Sequence, residues 1–273
     1  MRAIAVINLK GGSAKTTTAL ALAVGFAAKL PKKQRLLLVD ADPQANATLI
    51  MLDGQQAKAP TLTDVLLGKA EPTDAIRNTR IPNLDLLPAN ASLANCPTAL
   101  LDELGPDRRL RRGLRPVEDR YACAVIDASP AWNLISINVM QAVREIVVPV
   151  DVGLFSIAGL SRLQEAIEQV RRHLEHPELS IVALAIVKAL RTKGSKELER
   201  QLRELYGPLV CKTVIPFSSA VEDAHAHLQS ILEWAPRSPA GLAYGQLATE
   251  VQNGNAKKRL PRRHGPQRSD DAA

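Results

Sequence analysis

The chain has 273 residues, 46% of them apolar and only 3% aromatic, enough to bury the core of one large α/β domain. The scarcity of aromatic rings argues against binding by base stacking. A formal charge of +7 points instead toward an acidic polymer, either nucleic acid or an anionic membrane surface. Cys96, Cys123 and Cys211 are odd in number, far apart and lack a Cys-x-x-Cys pair, the pattern of free thiols in a reducing cytoplasm. Met1-Arg2 leads straight into an apolar strand with no leader, and no apolar run approaches the ~20 residues that span a bilayer. A cytoplasmic protein is expected.

Ala3 to Ile7 is an apolar run that feeds into Lys10-Gly11-Gly12-Ser13-Ala14-Lys15-Thr16-Thr17-Thr18, and good helix formers follow as far as Leu30, before Pro31. Strand, glycine loop and helix in that order let backbone N–H groups and a helix N-terminus cradle phosphate. The usual phosphate-loop spacing is missed twice, with Leu9 at the first glycine position and Ala14 at the second. In their place stands Lys-Gly-Gly-x-x-Lys-Thr, with an additional lysine at the start.

Leu36-Leu37-Leu38-Val39 reads as a parallel strand buried on both faces. It ends in Asp40-Ala41-Asp42-Pro43-Gln44-Ala45-Asn46, and two carboxylates at that end of a strand are placed to handle Mg²⁺ and water. Thr61 to Gly68 predicts a short helix closed by glycine, and Leu84 to Asn90 a further strand. Between 102 and 120 the chain carries Arg108, Arg109, Arg111, Arg112 and Arg115 around a predicted helix. A solvated face is the favoured reading there, and nucleic-acid contact the alternative.

Ala122 to Ile126 is an apolar strand ending in Asp127, the form a carboxylate needs to reach a metal shell from a strand end. Glu145 to Val150 is another buried strand. A helix from about Ser156 carries Leu160, Leu163, Ile167, Val170 and Leu174 as one apolar stripe. Ile181 to Val187 is the next strand. A helix from about Lys196 to Leu205 follows, with Leu198, Leu202 and Leu205 on its buried side. Lys196, Arg200 and Arg203 make a basic stripe, read either as a phosphate-binding face with Arg191 and Lys193 or as a surface laced by pairs such as Glu199–Arg203. The last strand, Val210 to Ile215, ends at Pro216-Phe217. From Asn253 onward lysines, arginines, glycines and prolines form a basic tail without an apolar face.

The loop at Lys10 to Thr16, the Asp40–Asn46 segment and the strand ending at Asp127 together resemble the deviant Walker A ATPases of the ParA/MinD family, a SIMIBI-class group of P-loop NTPases. The likeness runs from Met1 to about Val251, and Val148-Pro149-Val150 through Leu160 follows the family pattern as well. It departs at Ala45, where the family has glycine, at Ser129, where it has proline, and at Phe217, where it has arginine.

The resemblance implies a doubly wound, mostly parallel sheet flanked by helices, with one ATPase domain over 1–252 and a tail over 253–273. It implies an ATPase using ATP and Mg²⁺, slow unless a partner stimulates it. Gly11, Gly12, Ser13, Ala14 and Thr17 would cradle the phosphates, Lys15 would sit on the β- and γ-phosphates, and Pro216 and Phe217 would close over the base. Thr16 would hold Mg²⁺, with Asp127 and Asp40 at the metal site, and Asp42 would position the attacking water. Lys10 would reach the nucleotide of a second copy, giving an ATP-bound homodimer. That dimer would bind double-stranded DNA nonspecifically through Arg191, Lys193, Lys196, Arg200 and Arg203. A ParB-like or small centromere-binding adaptor protein would trigger release, placing the protein in the cytoplasm on the nucleoid. The family also contains positioners of non-DNA cargo and membrane-associated members; the polar tail argues against stable membrane anchoring.

Overall fold

The computed structural model describes residues 1–152 and 156–253. The sequence readings that fall on 153–155 and on the tail beyond Asn253 lie outside the described residues.

Eight strands form one sheet: β1 (Arg2–Val6), β2 (Leu36–Ala41), β3 (Arg77–Asn78), β4 (Leu84–Leu87), β5 (Cys123–Ala128), β6 (Glu145–Asp151), β7 (Ser180–Ala189) and β8 (Val210–Pro216). Their order is β3-β4-β2-β5-β1-β6-β7-β8, parallel throughout except for the two-residue β3 against β4. From β1 the chain winds outward through β2, returns to β5 beside β1, and leaves on the other side through β6, β7 and β8. The carboxyl ends of β1, β2 and β5 therefore meet where the winding reverses, the crevice in which open α/β sheets hold ligands.

The apolar runs are continuous because both faces of the sheet are covered. Ala5, Ile7, Leu37, Val39, Ala124 and Ile126 belong to one core, and their neighbours Ile4, Val6, Leu36, Leu38 and Val125 to the other. Between β1 and β2 runs α1 (Lys15–Ala27), and α2 (Asn46–Met51) follows the carboxylate segment. After α2 the β2–β5 stretch holds four more short α-helices, α3 (Leu62–Leu66), α4 (Pro72–Ala75), α5 (Cys96–Ala99) and α6 (Arg109–Leu114). Further on lie α7 (Leu134–Ala142), α8 (Ser156–His173), α9 (Lys193–Tyr206), α10 (Ser219–Ala226), α11 (Ile231–Trp234) and α12 (Pro239–Gln252).

Two readings are corrected. The helix expected from Lys196 begins at Lys193, because the Thr192 side chain accepts from the Ser195 N–H and caps it one turn earlier. Leu205, expected on its buried side, is 62% exposed, whereas Leu202 is fully buried. The three cysteines are buried and form no disulfide with one another, and burial pushes Cys96 up to about 11 and Cys123 to about 12.

Helix α1 packs directly on α12, and Gly25 is what lets the two backbones approach. A Cβ at this position would lie 2.7 Å from the Ala248 Cβ. Gly25→Ala should therefore lose the roughly 1 kcal/mol that alanine normally gains inside a helix. Gly25→Leu should destabilise by about 2 kcal/mol, roughly 4–8 °C in melting temperature. Thermal unfolding of the two variants checks both.

Candidate active site

The loop between β1 and α1 is braced from both sides. Asn8 donates to the Pro149 carbonyl at 2.7 Å and accepts from the Lys10 N–H at 2.9 Å. The Ser13 hydroxyl and the Lys15 ammonium both donate to the Lys10 carbonyl, each at 3.0 Å. Gly12 at φ 69° and Ala14 at φ 59° are left-handed, which curls the chain into a cradle opening at the N-terminus of α1. Nothing lies within 4 Å of where a Cβ at Gly11 or Gly12 would stand, so the loop backbone is free to face a ligand.

A cavity of about 310 Å³ opens from this cradle. Gly12 through Thr17, Asp42 and Pro130 line one end, and Ile215, Pro216 and Phe217 the other. Phe217 is 54% exposed, and its N–H is tied to the Ala189 carbonyl at 2.9 Å. The sequence-selected loop residues and the Pro216-Phe217 turn thus share one cavity, though about 200 residues separate them.

Strand register sets Asp40 beside Asp127, directly across β2 and β5. Both are buried, yet they differ in their partners. One Asp40 oxygen accepts from the Thr48 N–H at 2.8 Å and the Thr48 hydroxyl at 2.7 Å, and the other from the Asp42 N–H at 3.2 Å. Asp40 therefore ties down the 42–48 segment. Neither Asp127 oxygen has a hydrogen-bond partner of good geometry among the described residues. The Thr16 hydroxyl is close enough to favour the Asp127 anion but not aligned with it.

Burial, and then the Asp40 charge, push the Asp127 carboxyl well above the usual carboxylate range. Burial likewise raises Asp40, against the bonds from Thr48. Lys15 is pulled down by burial, with Asp127 and Asp42 acting against that. A buried carboxylate without donors, beside a hydroxyl and a lysine, is the oxygen environment that a hard divalent cation satisfies, so Thr16 and Asp127 fit Mg²⁺. Asp42 is half-buried at the cavity wall and accepts from the Gln44 N–H at 2.9 Å. Lys10 stands at the rim, with its ammonium 2.5 Å from Asp151.

The basic residues divide into two groups. Arg200 is ion-paired with Glu197 and Glu204. Arg203 pairs with Glu199 at 2.9 Å and donates to the Cys211 carbonyl. These two belong to a salt-bridged helix face. Arg191, Lys193 and Lys196 are exposed and have no carboxylate partner among the described residues. Around α6, Arg109 donates to the Leu66 carbonyl and Arg112 to the Leu104 carbonyl.

Sequence reasoning missed Lys188, Glu222, His225 and Tyr244, which line the same cavity. The His225 ring nitrogen lies 3.3 Å from the Thr17 hydroxyl. No motif marks these positions. For Lys188 one signal was present, since it sits at the carboxyl end of a parallel strand, where ligands bind.

The family described as an AAA domain matches residues 1–181. The chromosome partitioning protein ParA of Caulobacter vibrioides is 34% identical over 254 residues, covering 92% of this chain and 94% of that protein. The sporulation initiation inhibitor protein Soj of Bacillus subtilis is 34% identical over 250 residues, covering 91% and 97%. Among solved structures, cobyrinic acid a,c-diamide synthase from Mycobacterium smegmatis, with a bound ATP analogue and magnesium, superposes with a TM-score of 0.79 at 26% identity. That match covers 93% of this chain and 95% of the other.

Asp127 and Asp40 hold protons more tightly folded than unfolded, so these groups cost stability as pH rises from about 4 through their folded values. Asp127→Asn removes the uncompensated charge. The nucleotide-free variant should melt roughly 3–6 °C above the parent at pH 7.5, a gain of about 1–2 kcal/mol, and should depend less on pH between 5 and 7.5. Thermal scans across that range check this; an unchanged or lower melting temperature would count against the unpaired-anion account.

Proposed function

The chain belongs to the ParA/MinD family of P-loop ATPases, and we propose that it is a cytoplasmic, nucleoid-associated partition ATPase using ATP and Mg²⁺. The observation that carries this is Asp127, a buried carboxylate without a well-aligned hydrogen-bond donor among the described residues, beside Thr16 and Lys15, which line the cavity. Residues 1–252 act as one ATPase unit, with the basic tail from 253 appended.

In this reading the loop N–H groups of Gly11 through Thr17 hold the phosphates, and Pro216 and Phe217 cover the base. Lys15 leaves the Lys10 carbonyl and places its charge on the β- and γ-phosphates. Thr16 and Asp127 hold Mg²⁺, which when bound offsets the charge developing on the transferred phosphoryl group. Asp40 acts from behind, since its oxygens are occupied by Thr48 and the Asp42 N–H, and it fixes where Asp42 stands. Asp42 orients the water that attacks the γ-phosphorus, and hydrolysis yields ADP and phosphate.

Lys10 gives its charge to the nucleotide of a second copy, so that ATP holds a dimer together. The dimer binds double-stranded DNA without sequence preference. Arg191, Lys193 and Lys196 are the better candidates for phosphate contact, because Arg200 and Arg203 would first have to leave their glutamates. A ParB-like or small centromere-binding adaptor stimulates hydrolysis and returns the protein to the form that leaves DNA.

Two measurements test the reading. Lys15→Ala should lower ATP turnover about 100-fold or more and abolish ATP-dependent DNA retention in a gel-shift assay, whereas Asp42→Ala should remain on DNA with ATP. ATP-independent retention that survives Lys15→Ala would reject the switch. Charge reversal at Arg191, Lys193 and Lys196 should weaken DNA binding about tenfold or more and flatten the salt dependence of what remains by about 0.9 in log–log slope for each phosphate no longer neutralised. Reversal at Arg200 and Arg203 should do much less, and equal effects from the two sets would extend the DNA interface along α9 to Arg200 and Arg203.

A further inference from the structure

Lys188 is the penultimate residue of β7 and lines the same cavity as Asp42, from a strand on the other side of β1 in the sheet, yet no motif assigns it a task. Its ammonium donates to the Gly12 carbonyl at 2.9 Å, inside the phosphate loop. A lysine whose only acceptor is a neutral carbonyl is unusual, and no carboxylate pairs with it among the described residues. Its backbone is left-handed at φ 54°, a conformation side-chain-bearing residues avoid unless the surroundings impose it.

We propose that Lys188 is a third nucleotide-contacting cation of this pocket, one that exchanges the Gly12 carbonyl for a phosphate oxygen of a bound nucleoside di- or triphosphate. This rests on reading the cavity as a nucleotide site. The exchange replaces a charge–dipole bond with a charge–charge one, the stronger class, and draws on a long side chain that is exposed and free to swing. The position also differs in kind from those of the other two lysines. Lys15 comes from the first turn of α1 and Lys10 from the loop's own start, whereas Lys188 approaches from β7. It would thereby bind the ligand to the strand that continues into Arg191 and Lys193. His225 is consistent with this placement: burial lowers its proton affinity and the Lys188 charge lowers it further, so the two sit on the same wall.

Calorimetric titration of the full chain with ADP tests the proposal through Lys188→Met, which keeps the apolar stem, and Lys188→Arg, which keeps the charge. Lys188→Met should weaken ADP binding about tenfold and Lys188→Arg no more than about threefold. The nucleotide-free melting temperature should be unchanged in both. The His225 imidazole should titrate at higher pH in Lys188→Met than in the parent, read by NMR. ADP affinity unchanged in Lys188→Met, or reduced equally in both variants, overturns the proposal. So does a weakening accompanied by a drop in the nucleotide-free melting temperature, which would make the Gly12 bond merely structural. If the parent itself does not bind ADP, or Lys15→Ala binds it as well as the parent, the nucleotide-site reading fails instead.

Discussion

Two acids held side by side in a dry interior set the terms for this molecule. Parallel register places Asp40 opposite Asp127 at the ends of adjacent strands, where there is little water to screen one from the other. Asp40 is made tolerable by three hydrogen bonds, and in accepting them it fastens the segment that carries Asp42. Asp127 accepts none. Lys15 favours its anion, and the Lys15 charge, which burial disfavours, is in turn favoured by Asp127 and Asp42. The loop, the end of β2 and the end of β5 are therefore one electrostatic unit, stable as charged groups only together and more so with a cation among them. The sheet's winding supplies the convergence. Only a strand order that reverses at β1 brings those three ends to one crevice.

The same crevice stores backbone strain. Ala14 and Ala45 begin α1 and α2, and both are left-handed, at φ 59° and 53°. These are two of the places where the sequence has alanine and the related patterns have glycine. The conformation has been kept although the residue suited to it has not, at a cost of about 1–2 kcal/mol for each alanine. Such strain persists only where neighbours over-determine it. Here the Lys10 carbonyl, gripped by Ser13 and Lys15, holds the first turn, and Asp40 through Thr48 holds the second. The acids that make the site chemically demanding thus also keep its backbone in place.

How much of this was legible in the sequence follows from range. Continuous apolar runs marked seven of the eight strands, because a strand buried on both faces needs no partner to declare itself. The missing one, β3, is two residues long and pairs antiparallel at the edge, too short for any period. Lys15, Thr16, Asp40, Asp42 and Asp127 were legible because strand ends and loop spacing are local. Lys188 and His225 were not, since each reaches the cavity by tertiary packing from segments with no spacing to the loop. The basic stripe of α9 was only half legible. Periodicity placed Lys196, Arg200 and Arg203 on one face, but Glu197, Glu199 and Glu204 stand at the same helical reach, and only side-chain geometry decides which charges are spent.

The two lysines of the loop can be distinguished on the same grounds. Lys15 is 7% exposed, folded onto the loop's own carbonyl and set among acids at the cavity wall, so its charge serves the chain's own cavity. Lys10 stands at the rim, its side chain 37% exposed, against a single carboxylate at the end of β6. An ion pair at that exposure is worth at most about 1 kcal/mol, while a polyphosphate offers several charges at once. Lys10 is thus the easily released cation and Lys15 the fixed one. In the proposed dimer this difference would give the two lysines separate tasks, Lys15 for the chain's own nucleotide and Lys10, at the loop's edge, for the nucleotide of the second copy.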